Sequence, residues 1–264
     1  MESLSFNLKD TSTINRRMKI LEILETEGQV RVGKLSKLFN VSEVTIRNDL
    51  THLEEKSLLI KTRGGGLKSI QRVGIDYKLN EKSKIHSREK LEIGKKAAEI
   101  IKDNDTIIID SGTTTLEIAK NLETIKNLTV ISNALNIVSQ LVNYDNIKVI
   151  LLGGILRNAS LSLIGPIAES SIKSFYCDKL FLGVDGIDSE YGISTPIPEE
   201  AQLNKLMIDI SKQVVVVTDS SKFKRRSFVH IAPMSKINTV ITDSNIPEDE
   251  LKNLLNIGVQ VITV

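Results

Sequence analysis

Seven short runs in the last two-thirds of the chain, at 106–110, 128–131, 148–152, 180–183, 214–218, 239–242 and 259–264, are mostly apolar without strict alternation. A strand with one wetted face alternates apolar and polar residues, so runs such as Ile107-Ile108-Ile109 and Val214-Val215-Val216-Val217 belong to strands covered on both sides. Most of the runs are separated by amphipathic helical patterns, beginning with one over 91–102, and that alternation predicts a mainly parallel sheet with helices on both faces. No repeat of 20–50 residues and no low-complexity tract interrupts it.

The first seventy residues follow another rhythm. Ile14, Met18, Leu21, Ile23 and Leu24 fall at near-helical spacing and define a helix over 14–27 that Gly28 closes. Val32, Leu35, Leu38 and Phe39 mark a brief second helix ending at Asn40, a residue tolerant of left-handed geometry. After a tight turn, Ser42 caps a third helix that runs to about Lys56, with Glu43 at the positive end of its dipole and Ile46, Leu50, Leu53 and Ser57 along one face. Segments 58–62 and 67–70 read as two short strands joined through Arg63-Gly64-Gly65-Gly66, where glycine is expected to supply positive φ. Three helices and a hairpin make a winged helix-turn-helix. The stretch 71–89 is polar and aperiodic. The expected organisation is a flexible N-terminus at 1–13, a winged helix-turn-helix domain at 14–70, a linker at 71–89 and an α/β domain at 90–264.

The formal net charge of +2 hides an asymmetry: residues 1–70 carry twelve Lys and Arg against nine Asp and Glu, the remainder 23 against 24. On the third helix, burial of Ile46, Leu50 and Leu53 turns Val44, Arg47, Asn48 and Thr51 outward. Arg47 suits a guanine edge, Asn48 an adenine edge and Val44 a thymine methyl, while Ser42 and Thr45 near the helix start suit phosphate oxygens. Lys56, Lys61, Arg63, Lys68 and Arg72 occur with no acidic residue between Glu55 and Asp76, and neutralising phosphates is the natural use of Lys61 and Arg63 in the hairpin. The implied partner is a double-stranded DNA operator. One small domain makes few phosphate contacts, so a two-fold homo-oligomer, a dimer or tetramer assembled through residues 90–264, is expected.

A second constellation lies in the α/β part. Ile107-Ile108-Ile109-Asp110 is followed by the hydroxyl-rich turn Ser111-Gly112-Thr113-Thr114-Thr115 and then a helix over 116–122, an arrangement that offers backbone N–H groups to an anion. There is no Gly-Lys-Ser/Thr ending and no GxGxxG, so neither a P-loop nor a dinucleotide cofactor is indicated. Other strand ends carry Asn133, Gly153-Gly154, Asp185 and Asp219-Ser220-Ser221-Lys222, and ligands of parallel sheets gather at such ends. Lys222 suits a phosphate; Asp185 and Asn133 suit sugar hydroxyls. The plainer alternatives are that Asp185 caps a turn and that the two glycines only let chains approach closely.

These residues carry a resemblance. Arg16-Arg17, Val41-Ser42-Glu43-Val44-Thr45-Ile46-Arg47-Asn48-Asp49-Leu50, Leu53-Glu54 and Arg63-Gly64-Gly65-Gly66 look like the DeoR-type regulators of bacterial sugar metabolism, with Asn48 where many members have a second arginine. Asp110 to Thr115, Ser132-Asn133, Gly153-Gly154, Gly183-Val184-Asp185-Gly186-Ile187-Asp188 and Thr218-Asp219-Ser220-Ser221-Lys222-Phe223 resemble the effector domain of the same family in order. Leu116-Glu117-Ile118-Ala119, Gly192-Ile193-Ser194-Thr195 and Glu200-Ala201-Gln202-Leu203-Asn204 resemble its N-acetylgalactosamine branch, although Pro196-Ile197-Pro198 departs from it. The resemblance implies a fold related to ribose-5-phosphate isomerase, glucosamine-6-phosphate deaminase and CoA transferases. It also implies a repressor of a carbohydrate operon relieved by a phosphorylated sugar or amino sugar.

An isomerase- or deaminase-like enzyme, with Asp185 and Asp188 as proton carriers, is the alternative. His52, His86 and His230 fall on the third helix, in the linker and in a late loop, which suggests neither a metal site nor a catalytic triad. No run approaches a membrane span, residues 1–13 lack a signal-peptide core, and the single Cys177 reads as a small buried residue, so a cytoplasmic protein is expected.

Overall fold

The computed structural model describes residues 13–55, 58–68 and 76–264, which divide into two units, Met1–Ile75 and Asp76–Val264. The start at 1–12, together with Lys56, Ser57, Ile70 and Arg72, lies outside the described residues, as does the side chain of Lys68.

The first unit runs α1 (Thr13–Glu27), β1 (Gln29–Arg31), α2 (Val32–Phe39), α3 (Glu43–Glu55), β2 (Leu59–Thr62) and β3 (Gly65–Lys68). Gly28 ends α1 at φ 72° and Asn40 ends α2 in the left-handed region, so both stops act as their residue types suggest. Ile20, Leu24, Leu35, Ile46, Leu50 and Leu53 meet in one small core. The wing is a three-stranded antiparallel sheet in the order β1-β3-β2, because residues 29–31, short and without a pattern of their own, pair with β3.

The wing glycines differ from expectation. None of Gly64, Gly65 and Gly66 has positive φ. Gly65 is needed for space: a Cβ there would lie 1.8 Å from the carbonyl oxygen of Val30, whereas one on Gly64 would meet nothing within 4 Å. Gly65→Ala is therefore expected to destabilise this unit by about 1–3 kcal/mol or more through overpacking. Gly64→Ala should stay within about 0.5 kcal/mol of the parent in the same denaturant titration.

The second unit opens with α4 (Leu79–Lys82), α5 (Ser87–Glu99), β4 (Thr106–Ile109), α6 (Thr113–Ala119), β5 (Leu128–Ser132), α7 (Leu135–Leu141) and β6 (Ile147–Leu151). It continues through β7 (Ile155–Arg157), β8 (Ser162–Ile164), α8 (Pro166–Ile172), β9 (Cys177–Gly183), β10 (Gly186–Asp188), β11 (Gly192–Thr195), α9 (Pro198–Asp209) and β12 (Ser211–Val217). The last elements are β13 (Val229–Ala232), β14 (Thr239–Thr242), α10 (Glu248–Asn256) and β15 (Gln260–Thr263). All seven apolar runs enter one parallel sheet, in the order β15-β14-β12-β9-β4-β5-β6. Ile108, Leu180 and Val216 pack on one face and Ile107, Ile109, Phe181 and Val215 on the other, which is why these strands are apolar at successive positions. Cys177 is buried in β9, and burial beside Asp178 pushes its thiol up to about 11.

The elements without a sequence signal are the hairpin β7-β8 and the small sheet β10-β11-β13. Each strand has only three or four residues, too few for periodicity to register. His230 lies in β13 and not in a loop. The linker boundary also shifts. Residues from Asp76 onward belong to the second unit, because this polar stretch is fixed by hydrogen bonds and ion pairs, including Leu79 N–H to the carbonyl of Ala159 at 2.7 Å, and not by an apolar stripe. Residues 71–75 lie outside the described residues. Among the described residues, no helix is long and apolar enough to cross a membrane.

Candidate functional site

In the first unit, Ser42 caps α3: its Oγ accepts the backbone N–H of Thr45 at 3.1 Å and lies 2.9 Å from the Thr45 hydroxyl. Val44, Arg47 and Asn48 are exposed on α3 as the periodicity predicts, with Val44 at 66%. Arg47 pairs with Glu43 at 2.8 Å, one turn earlier, so its guanidinium is extended along the open face of the helix. Thr51 is half-buried; its hydroxyl donates to the carbonyl of Arg47 and accepts the ammonium of Lys61 at 2.5 Å. Lys61 therefore ties the wing to α3, while Arg63 at the hairpin turn stands exposed.

What holds α3 in place is Asp49, which is 1% exposed and accepts the Nε–H of Arg16 at 2.5 Å and of Arg17 at 2.8 Å. Its role was not read from the sequence, although a signal existed. Asp49 falls in phase with Ile46, Leu50 and Leu53, and a carboxylate at a core position needs cationic partners.

In the second unit, chain order makes the site. From β4 the strands step to β5 and β6 in one direction, and from β9 to β12, β14 and β15 in the other. The carboxyl ends of the adjacent strands β4 and β9 thus flank the switch point where open α/β sheets leave a crevice. On the β4 side stand buried Asp110, then Ser111, Gly112 at φ 155° and buried Thr113, Thr114 and Thr115. On the β9 side stands Asp185, and the next strand, β12, leads to Asp219 and the short 3-10 turn Ser220–Lys222 that carries Lys222. Asn133 follows β5 and is 1% exposed. Its Oδ1 and the Thr115 Oγ1 are buried with no hydrogen-bond partner among the described residues.

Gly153 and Gly154 follow the edge strand β6, with β5 between them and β4. A Cβ on Gly154 would lie 2.6 Å from the carbonyl oxygen of Ile164, so close approach of the β7-β8 hairpin explains this glycine.

Three charged residues that sequence reasoning missed complete the crevice. The Lys82 ammonium pairs with Asp185 Oδ1 at 2.7 Å. The Lys90 ammonium, 5% exposed in residue terms, donates to the carbonyls of Lys82 at 2.5 Å and Ile85 at 2.6 Å. Glu200 accepts Arg157 at 3.0 Å and the hydroxyls of Ser160, Ser162 and Thr195. Lys90 had a signal like that of Asp49, since it stands in phase with Ile93 and Ala97 on the buried face of α5. Lys82 had none.

The electrostatics follow from packing these groups together. Burial raises the Asp110 carboxyl well above its ordinary value, reinforced by Glu200. Burial acts the same way on Asp185 and Asp219, but Lys82 and Lys222 at the first, and Lys222 and Lys90 at the second, leave both below the ordinary carboxylate range. Burial lowers Lys90 to about 8 and also lowers Lys222, against the pull of Asp219 and Asp185. Lys222 makes no ion pair within 4 Å among the described residues, so its charge is only partly compensated. Asp188 is used otherwise: it accepts the N–H groups of Glu190 and Tyr191 and pairs with Arg226 at 3.1 Å, as the cap of a turn and not as a proton carrier.

A winged helix-turn-helix joined in one chain to an α/β domain with a charged crevice defines the class of ligand-responsive DNA-binding regulators. Residues 16–73 match the DeoR-like helix-turn-helix domain, and residues 85–244 the DeoR C-terminal sensor domain. The chain belongs to the DeoR family of transcriptional regulators. It is 38% identical to a putative aga operon transcriptional repressor of Escherichia coli O157:H7, over 96% of this chain and 95% of that protein. It is 37% identical to the transcriptional repressor AccR of Agrobacterium fabrum, over 88% and 90%. Among solved structures, ribose 5-phosphate isomerase A of Methanocaldococcus jannaschii aligns with a TM-score of 0.39 at 17% identity, over 52% of this chain and 55% of that one. The family and these relatives are regulators, which does not favour the isomerase or deaminase alternative.

Proposed function

We propose that this regulator is a cytoplasmic repressor of a carbohydrate operon, and that a phosphorylated sugar or amino sugar bound in the β4/β9 crevice releases it from its operator. The ligand assignment is carried by Lys222, a half-buried ammonium with no carboxylate within ion-pairing distance among the described residues, at the strand ends where Asp185 stands. In this reading Lys222 and the Ser111 to Thr115 turn hold the phosphate, Asp185 and Asn133 bond sugar hydroxyls, and buried Asp110 shapes the floor. Gly153 and Gly154 act at one remove, by seating the β7-β8 hairpin. Repression is the sign that the names of the relatives support. Thermal unfolding against a panel of sugar phosphates tests the ligand class: one at 100 times its dissociation constant should stabilise the protein by about 2.7 kcal/mol. No stabilisation by any member would contradict the proposal.

On DNA, Val44, Arg47, Asn48 and Thr51 face the bases, with Ser42, Thr45, Lys61 and Arg63 on the phosphates, each copy of a homo-oligomer taking one half-site. Arg47→Ala should cost about 1–3 kcal/mol on the operator and relax preference at one base pair. Equal loss on operator and random DNA in a mobility-shift titration would remove base reading from Arg47.

A further inference from the structure

Residues 76–86 form a strap across the sensor unit, and two of its side-chain anchors, Asp76 and Lys82, lead to one residue. At its start, Asp76 pairs with Arg157, which in turn pairs with Glu200. At the end of α4, Lys82 pairs with Asp185 at 2.7 Å, both groups less than a quarter exposed. The Thr195 hydroxyl lies between them, 3.4 Å from Glu200 Oε2 and 3.5 Å from Asp185 Oδ2. Lys90 Nζ holds the far end of the strap through the carbonyls of Lys82 and Ile85. The strap is also the stretch of sensor unit that immediately follows the DNA-binding unit in the chain.

We propose that Lys82 is the latch through which the crevice reports its occupancy to the DNA-binding unit. The inference rests on the assignment of a sugar phosphate to this crevice. Asp185 Oδ1 is already engaged by Lys82, so a sugar hydroxyl donating to that carboxylate competes with the ammonium. The pair therefore loosens when the crevice fills, and the strap loses the anchor nearest the ligand. By linkage, whatever the closed latch contributes to the DNA-competent state is subtracted from sugar phosphate affinity. A latch closed about nine-tenths of the time weakens apparent affinity about tenfold.

Amide hydrogen exchange and calorimetry on the full chain test this with hexose 6-phosphates and their 2-amino and 2-acetamido forms as probes. In the parent, a binding probe should speed exchange several-fold at the hydrogen-bonded amides of Leu79, Lys82 and Ser83. In Lys82→Met those amides should exchange fast without any sugar and respond no further, and the probe should bind about tenfold more tightly. Lys84→Met, an exposed lysine on the same strap, should behave as the parent. Weaker binding in Lys82→Met would make Lys82 a direct sugar phosphate contact and overturn the latch. So would a parent strap whose amides ignore a probe that binds. If no probe binds the parent, the crevice assignment itself fails, and the latch with it.

Discussion

Asp49→Ala is expected to lower the stability of the winged domain by about 3–5 kcal/mol, the usual cost of breaking a buried ion pair from one side. The carboxylate is buried and shared by Arg16 and Arg17 of α1, at 2.5 and 2.8 Å. Its loss leaves two guanidinium groups without the anion they share, one of them on a residue only 7% exposed. Small domains have about 5–15 kcal/mol to lose in all, so α3 should be poorly held against α1 and binding to every DNA sequence should fall together. The sensor unit should keep its sugar phosphate response, because none of the Asp49 partners lies in it. Denaturant unfolding combined with mobility shifts separates this from Arg47→Ala, whose exposed side chain should affect reading without affecting folding. A fully stable Asp49→Ala domain would show that the pair is incidental.

The second large effect concerns Lys222→Ala. A hydrogen bond to a charged partner is worth about 1.5–3 kcal/mol, so sugar phosphate affinity should fall roughly ten- to a hundredfold. DNA affinity without the effector should hardly change. Lys222 also holds Asp185 and Asp219 below the ordinary carboxylate range, and in the variant both carboxyls should titrate closer to it. In the cell the variant should stay repressed on the inducing sugar. Unaltered binding of the sugar phosphate to Lys222→Ala, measured by calorimetry, would take the phosphate away from this lysine.

The sheet was legible because two-sided burial writes itself into consecutive residues: Ile107 and Ile109 serve one core and Ile108 the other. The helices of the winged unit were legible to within about a residue, since Ser42, Gly28 and Asn40 are terminators by their own chemistry. The wing glycines were found for the wrong reason, since crowding against Val30 cannot be seen before the strands are paired. The part of the crevice built from Lys82, Arg157 and Glu200 was not legible, because its ion pairs join residues 43 to 103 positions apart. Asp49 and Lys90 lie between these cases. Each is a charge standing in phase with a buried stripe, and that anomaly was present in the sequence before any partner was known.

One ligand in the β4/β9 crevice and one operator on α3 are expected to exclude each other. Calorimetric titration of the full chain with the sugar phosphate that stabilises it, alone and then saturated with its operator, measures this exclusion. Reciprocity predicts that operator weakens sugar phosphate binding by the same factor by which the sugar phosphate weakens operator binding, a coupling of about 1–3 kcal/mol. An operator complex that binds the sugar phosphate as tightly as the free protein, and stays intact, would contradict it.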